Sequence, residues 1–211
     1  MSTFKIFKLK DSFLQSLPQN WFKKLNELQT VYSTKESCVS VFQGGKYITK
    51  KVHREYMSFG VSPEFDESTN KSYMFNNKNN DVPSLLQPLL EMARTIDTRF
   101  NNIYVNWYKD GNSYIDPHSD CIAKLEEGSP ILIVNFNEGD YNRHFYLKPK
   151  SPEDKTLIDI ELQNNICLLM DSKWQSNYRH WIDKEDTNQG RVSVSFRVVR
   201  TEATKNENQE A

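Results

Sequence analysis

Two rhythms of apolar residues divide this chain, one close to the helical period and one of strict alternation. Leu85, Leu89, Met92, Ala93, Ile96 and Phe100 recur mostly three or four apart, which predicts a helix over 84–98 opened by Pro83 and turned toward a core. Two shorter helices are expected before it, Ser12 to Ser16 behind a capping Asp11 and Trp21 to Leu28 behind a capping Asn20, with Pro18 between them. Residues 38–61 alternate well enough for two strands around Gly44-Gly45, and a short segment, Tyr73-Met74-Phe75, sits between polar stretches. Beyond residue 100 the period is two. Ile103, Val105 and Trp107 alternate with Tyr104, Asn106 and Tyr108, and Lys109-Asp110-Gly111-Asn112 reads as a turn. Ile166 to Met170 reads as a buried strand, followed by a turn and a return strand from Trp174 to His180. In Arg191 to Arg197, Val192, Val194 and Phe196 share one face while Arg191, Ser193, Ser195 and Arg197 share the other. The fold these runs predict is a double-stranded β-helix, or jelly roll, of two antiparallel sheets, α+β in class because N-terminal helices brace it. One domain is expected over 1–200, with bracing helices and a lid in 1–99, the jelly-roll core in 100–200, and a disordered tail over 201–211.

Alternation also selects the candidate chemistry. His118 and Asp120 are two apart, so on a strand they project together at a separation one metal ion can bridge, with Ser119 turned away. A third ligand must come from a neighbouring strand, and His180 fits that role. Two imidazoles and one carboxylate hold one face of an iron ion and leave the opposite positions for an oxidisable cosubstrate and O₂. A His-x-Asp tripeptide by itself more often describes an ordinary surface hydrogen-bonded pair. The last strand shifts the balance, because two arginines and two hydroxyls on one face suit an anion. At about 3.3 Å per residue the α-carbons of Arg191 and Arg197 stand about 20 Å apart, too far to grip one carboxylate but suited to the two ends of a five-carbon diacid such as 2-oxoglutarate. Guanidinium suits the task because its planar fork makes bidentate, charge-assisted hydrogen bonds. Asn106 and Tyr108 share the strand face that would look into the same site.

The run Phe100-Asn-Asn-Ile-Tyr-Val-Asn106-Trp-Tyr108-Lys-Asp-Gly111, then His118-Ser-Asp120, Gly128-Ser-Pro-Ile131, Tyr178-Arg-His180 and Arg191-Val-Ser-Val-Ser-Phe-Arg197, resembles the core signature of the AlkB family of iron(II)- and 2-oxoglutarate-dependent dioxygenases. Order and spacing match through residues 100–200. The resemblance implies iron(II) held by His118, Asp120 and His180, with 2-oxoglutarate bound by Asn106, Tyr108, Arg191 and Arg197 and O₂ as second cosubstrate. Ser193 and Ser195 share that clamp face. The activity implied is oxidative demethylation of alkylated nucleic-acid bases, with loss of formaldehyde. Val41-Phe42, Phe59-Gly60 and Tyr73-Met-Phe75 resemble the nucleotide-recognition elements that nucleic-acid-directed members place over the active site. On that reading Phe42, Tyr73 and Phe75 stack on or wedge beside a base; on the plainer one they are core aromatics. One position departs from the family. Where DNA-repair members commonly carry an acid two residues after the metal-binding aspartate, this chain has Ile122, which cannot accept a hydrogen bond from an exocyclic amine.

Composition narrows the reading only at its edges. At 211 residues and 37% hydrophobic content the chain can bury one substantial core. It has no long apolar run, and Met1 to Asp11 lacks the apolar stretch of a signal peptide, so a soluble, intracellular, monomeric protein away from the membrane is expected. Cys38, Cys121 and Cys167 are odd in number and widely spaced, against a disulfide framework or a CxxC zinc site. A net charge of −1 does not advertise nucleic acid. Locally, however, Lys46, Lys50, Lys51, His53 and Arg54 form a run without an acid. Such a run is either a solvated face or a hairpin on which Lys50, Lys51 and Arg54 contact phosphates. Two functions stay open: a nucleic-acid demethylase, favoured by the basic run and the aromatics, and a 2-oxoglutarate-dependent hydroxylase of a protein or small molecule, favoured by the net charge and Ile122.

Overall fold

The computed structural model describes residues 4–32, 37–43, 46–61, 74–75, 78–120 and 125–200, with 39–43, 46–47, 74–75, 78 and 172–173 placed by backbone alone. Tyr73, Cys121, Ile122 and the tail 201–211 lie outside the described residues. In chain order the elements are β1 (Phe4–Lys8), α1 (Asp11–Ser16), α2 (Trp21–Tyr32), β2 (Cys38–Gln43), β3 (Lys46–Lys51), β4 (Glu55–Gly60), β5 (Met74–Phe75), β6 (Lys78–Asn79), α3 (Gln87–Arg94), β7 (Asn102–Tyr108) and β8 (Ile115–His118). They continue with β9 (Ile131–Asn137), β10 (Arg143–Pro149), β11 (Ile158–Leu162), β12 (Ile166–Met170), α4 (Ser172–Asn177), β13 (Tyr178–Ile182) and β14 (Arg191–Arg197).

Strands β1-β12-β9-β14-β7-β4-β6 form the major sheet, β11-β10-β13-β8 the minor sheet, and β3-β2-β5 a third, small sheet. The jelly-roll expectation holds, with helices on one outer face. On β7, β9 and β14 the apolar parity, including Ile103, Val105, Val134, Val194 and Phe196, packs under Leu25 of α2 and Leu89 of α3. Burying each such side chain contributes about 1.5–3 kcal/mol. The Trp107 indole N–H donates to the Leu25 carbonyl at 2.9 Å and ties α2 to the sheet. Opposite parity on the same strands faces the minor sheet, whose Phe145, Leu147, Ile160 and Ile182 build a second core. The polar face of β14 is therefore an interior face.

Element boundaries differ from expectation for identifiable reasons. Helix α1 starts at Asp11 itself, behind Lys10 and with no side-chain cap. Helix α2 runs on to Tyr32, whose ring meets Phe59 edge-on at 5.1 Å. The helix expected over 84–98 is a 3-10 turn, Ser84–Leu86, followed by α3 only as far as Arg94. Pro88 explains the break, because it lacks an N–H and its ring clashes with the carbonyl four residues back. The return strand expected from Trp174 to His180 is instead the short helix α4 followed by β13.

Candidate metal centre and cosubstrate cavity

Antiparallel pairing of β8 with β13 sets His180 directly opposite His118. Strand β8 ends at His118, so alternation places His118 but not Asp120, which lies past the strand end. Three contacts hold that ligand-bearing loop. The Asp120 backbone N–H donates to Gln175 Oε1 at 2.8 Å, Ser119 Oγ donates to the Tyr178 carbonyl at 2.7 Å, and Arg197 Nη2 donates to Asp120 Oδ2 at 2.7 Å. As a result Asp120 Oδ1 lies 3.5 Å from His118 Nε2 and 3.8 Å from His180 Nε2. Candidate ligand atoms of the three side chains all fall within 4.8 Å of one another, the one such cluster among the described residues.

The protonation states suit a metal. His118 Nδ1 lies 2.9 Å from the Asp116 carbonyl, which can only accept, so Nδ1 donates there and Nε2 is the ring nitrogen turned toward Asp120. Burial, reinforced by His118, drives His180 down to about 3, so its imidazole is neutral. For Asp120 burial pushes upward, but the Arg197 guanidinium outweighs it and holds the carboxyl well below its usual range. Two imidazoles and one carboxylate are the donor set that suits iron(II) with open positions.

These residues line a cavity of about 370 Å³ together with Asn106, Tyr108, Arg191, Ser193, Ser195 and Arg197. Arg191 is buried, its Nε donating to Asn135 Oδ1 and its guanidinium lying 4.7 Å over the Tyr108 ring. Its Nη1 is buried without a partner. Asn106 Nδ2 donates to Ser193 Oγ at 3.3 Å, and Asn106 Oδ1 accepts from Arg54 Nε at 2.6 Å. A buried donor left open in the same cavity as the metal-ligand cluster is what a bound carboxylate would satisfy, and the donor set therefore fits 2-oxoglutarate as well as iron.

The sequence profile of the 2OG-Fe(II) oxygenase superfamily matches residues 9–197. This chain belongs to that superfamily. Membership implies iron(II), 2-oxoglutarate and O₂. Among curated relatives of this oxygenase, the mouse (Mus musculus) alpha-ketoglutarate-dependent dioxygenase alkB homolog 3 is 30% identical over 108 residues, covering 47% of this chain and 37% of that protein. The human (Homo sapiens) DNA oxidative demethylase ALKBH2 is 29% identical over 121 residues, covering 53% of this chain and 46% of that protein. The aligned region thus spans less than half the length of either relative. A solved oxidoreductase of the 2OG-Fe(II) oxygenase family from Burkholderia pseudomallei superposes with a TM-score of 0.49 at 12% identity, over 94% of this chain and 85% of that one.

Two arginines of the oxygenase are placed otherwise than the spacing suggests. Arg197 was expected to be free for one end of a diacid, yet its Nε and Nη2 both donate to Asp120, leaving only Nη1 without a partner. Arg54, which the sequence leaves between a solvated face and phosphate contact, is half-buried in the cavity with its Nε engaged by Asn106. Lys50 and Lys51 do stand exposed along the same cavity. Phe42 lies on β2 and Phe75 on β5, which pair with each other, so the two candidate stackers belong to one small sheet by backbone.

Sequence reasoning missed Gln175, Asn135 and Arg143. Arg143 is buried and donates to the carbonyls of Asp110, Ser113 and Asp183, with Glu185 at 3.4 Å from its Nε. It thereby pins the β7–β8 turn to the segment after β13. Its signal was available, since Arg143 shares inward parity with Phe145 and Leu147 on β10. No local signal marks Gln175, which depends on α4 forming.

Proposed function

We propose that this chain is an iron(II)- and 2-oxoglutarate-dependent dioxygenase that oxidatively demethylates nucleic-acid bases. The observation that carries the chemistry is the placement of the open, buried Nη1 of Arg191 in the same cavity as the His118, Asp120 and His180 cluster. On this reading His118, Asp120 and His180 hold the iron, and Arg191 takes a carboxylate of the cosubstrate through its open Nη1. Asn106, Tyr108, Ser193 and Ser195 line the same wall, and Arg197 keeps Asp120 ionised while offering its remaining Nη1. Iron(II) loaded with 2-oxoglutarate and O₂ supplies oxidation of a C–H bond, here the N-methyl group of a base. The nucleic-acid half of the reading is supported by likeness to an alkB homolog and a DNA oxidative demethylase, and by Lys50 and Lys51 at the cavity. No described helix is long and apolar enough to cross a membrane.

The test is turnover of N-methylated single-stranded and duplex oligonucleotides of DNA and RNA, read by mass loss of one methyl group and matched succinate release, with His180→Ala as the blank. Succinate formation without methyl loss on any of these substrates would overturn the demethylase reading and favour hydroxylation of a protein or small molecule. Succinate release by His180→Ala equal to the parent's would overturn the metal assignment itself.

A further inference from the structure

At the cavity lip the His53 and Tyr114 rings stack with centroids 4.3 Å apart and planes 14° from parallel. The Tyr114 backbone N–H donates to the His53 carbonyl at 3.1 Å, which fixes the two chains that carry the rings. Lys184 Nζ lies 4.9 Å over the Tyr114 ring. Since His53 covers one face of Tyr114, the ammonium occupies the other, giving a three-layer stack of Lys184, Tyr114 and His53. The His53 ring is itself exposed, and among the described residues no second ring stacks on it. Lys50 and Lys51 line the same cavity.

We propose that this stack is a platform for the nucleobase next to the one being demethylated, an inference that rests on the nucleic-acid reading above. A preformed aromatic face with exposed lysines nearby suits a base with its phosphates. It cannot serve the reacting base itself. Tyr114 stands just before β8, four residues ahead of the ligand His118 and about 13 Å from it along an extended chain, so the platform and the metal cluster suit two different bases. Because the ring is already held by Tyr114, little side-chain freedom remains to be lost when a base lands on it. The position also bridges two parts of the fold, His53 lying between β3 and β4 and Tyr114 just before β8, so a base on the platform couples the small sheet to the metal strand.

The experiment uses the full chain and a single-stranded oligonucleotide carrying one N-methylated base with the fluorescent adenine analogue 2-aminopurine on its 5′ or 3′ side. The expected result is a fluorescence change for one of the two positions on binding the parent, lost in His53→Ala together with an affinity loss of about 5- to 150-fold, and kept in His53→Phe. A His53→Ala protein that binds and reports like the parent overturns the platform. So does a His53→Phe protein that behaves like His53→Ala, because that outcome assigns the residue a charge or hydrogen-bonding role. If the parent binds the oligonucleotide with no response from 2-aminopurine on either side, the platform falls while the nucleic-acid reading stands. If the parent binds no oligonucleotide, the underlying reading falls first.

Discussion

Replacing Arg197 by methionine, which keeps an unbranched stem and removes the charged guanidinium, tests how the cluster holds its carboxylate. Arg197 and Asp120 are nearly buried, with 13% and 15% of their side chains exposed, and they meet at 2.7 Å. Deleting one partner of a buried pair costs about 3–5 kcal/mol, because the other charge is left uncompensated. In a chain of this size each kcal/mol moves the melting midpoint about 2–4 °C, so the metal-free variant should melt roughly 6–20 °C below the parent at neutral pH. The pH dependence should change sign. In the parent the folded carboxyl lies below its unfolded value of about 3.9, so its stabilisation is present above that pH and is lost as pH falls through the folded value. In the variant the Arg197 guanidinium is gone and burial, the largest influence on this group, dominates. The carboxyl rises, and the deficit against the parent should already be smaller at pH 4 than at neutral pH, because protonation relieves the uncompensated charge. A divalent metal supplies the missing cation, so adding Mn(II) should raise the variant's midpoint more than the parent's. Melting curves at pH 7.5 and pH 4, with and without Mn(II), give all four quantities. A variant within about 2 °C of the parent at neutral pH, or equal metal shifts in both proteins, would refute the argument.

Three further outcomes follow from the same geometry. Arg191→Leu should raise the 2-oxoglutarate requirement about ten- to a hundredfold, since it removes a charge-assisted pair worth about 1.5–3 kcal/mol; unchanged cosubstrate titration would make the residue structural only. Gly111→Ala should lower the urea midpoint by an amount equivalent to about 1–3 kcal/mol, because a Cβ there would sit 1.7 Å from the Glu185 carbonyl oxygen, in a turn where Gly111 N–H also donates to the Thr187 carbonyl. Lys50→Gln with Lys51→Gln should flatten the log–log salt dependence of oligonucleotide binding by about 1.8 on duplex DNA or about 1.4 on single strands if both lysines contact phosphates; an unchanged slope assigns them to a solvated face.

Parity made the core of the site legible. On β14 an apolar face could only go to the helices, so Arg191, Ser193, Ser195 and Arg197 had to point the other way, and they do. What parity could not supply was the partner of each polar side chain. The pairing of Arg197 with Asp120 spans 77 positions in sequence and depends on Asp120 leaving its strand. Helix α4 was read as strand because Trp174 and Tyr178 favour strands in isolation. Its conformation is settled by tertiary contact, with Trp174 packed against Phe4 at 4.8 Å and Tyr178 at 4.2 Å. Through that misread helix came Gln175, and with it the hydrogen bond that fixes the Asp120 backbone.

Charge inside the cavity gives the strongest reason to regard its interior as incomplete without a ligand. Among the described residues Arg54, Arg191 and Arg197 line it, against Asp120 as the one carboxylate away from the exposed rim where Asp116 stands. Buried cations are seldom left without an anion, yet among the described residues Arg191 forms no ion pair. Burial works against its charge, and what meets it is the Tyr108 side chain, the Asn135 amide oxygen and the more distant Glu185. A divalent metal at the histidines would deepen the positive excess, which makes a neutral occupant a poor match and a dianion a good one. That is the charge of 2-oxoglutarate at neutral pH. The same reasoning separates the two arginines of β14: Arg197 already has its carboxylate in Asp120, whereas Arg191 has none, so Arg191 rather than Arg197 should carry most of the cosubstrate's binding energy.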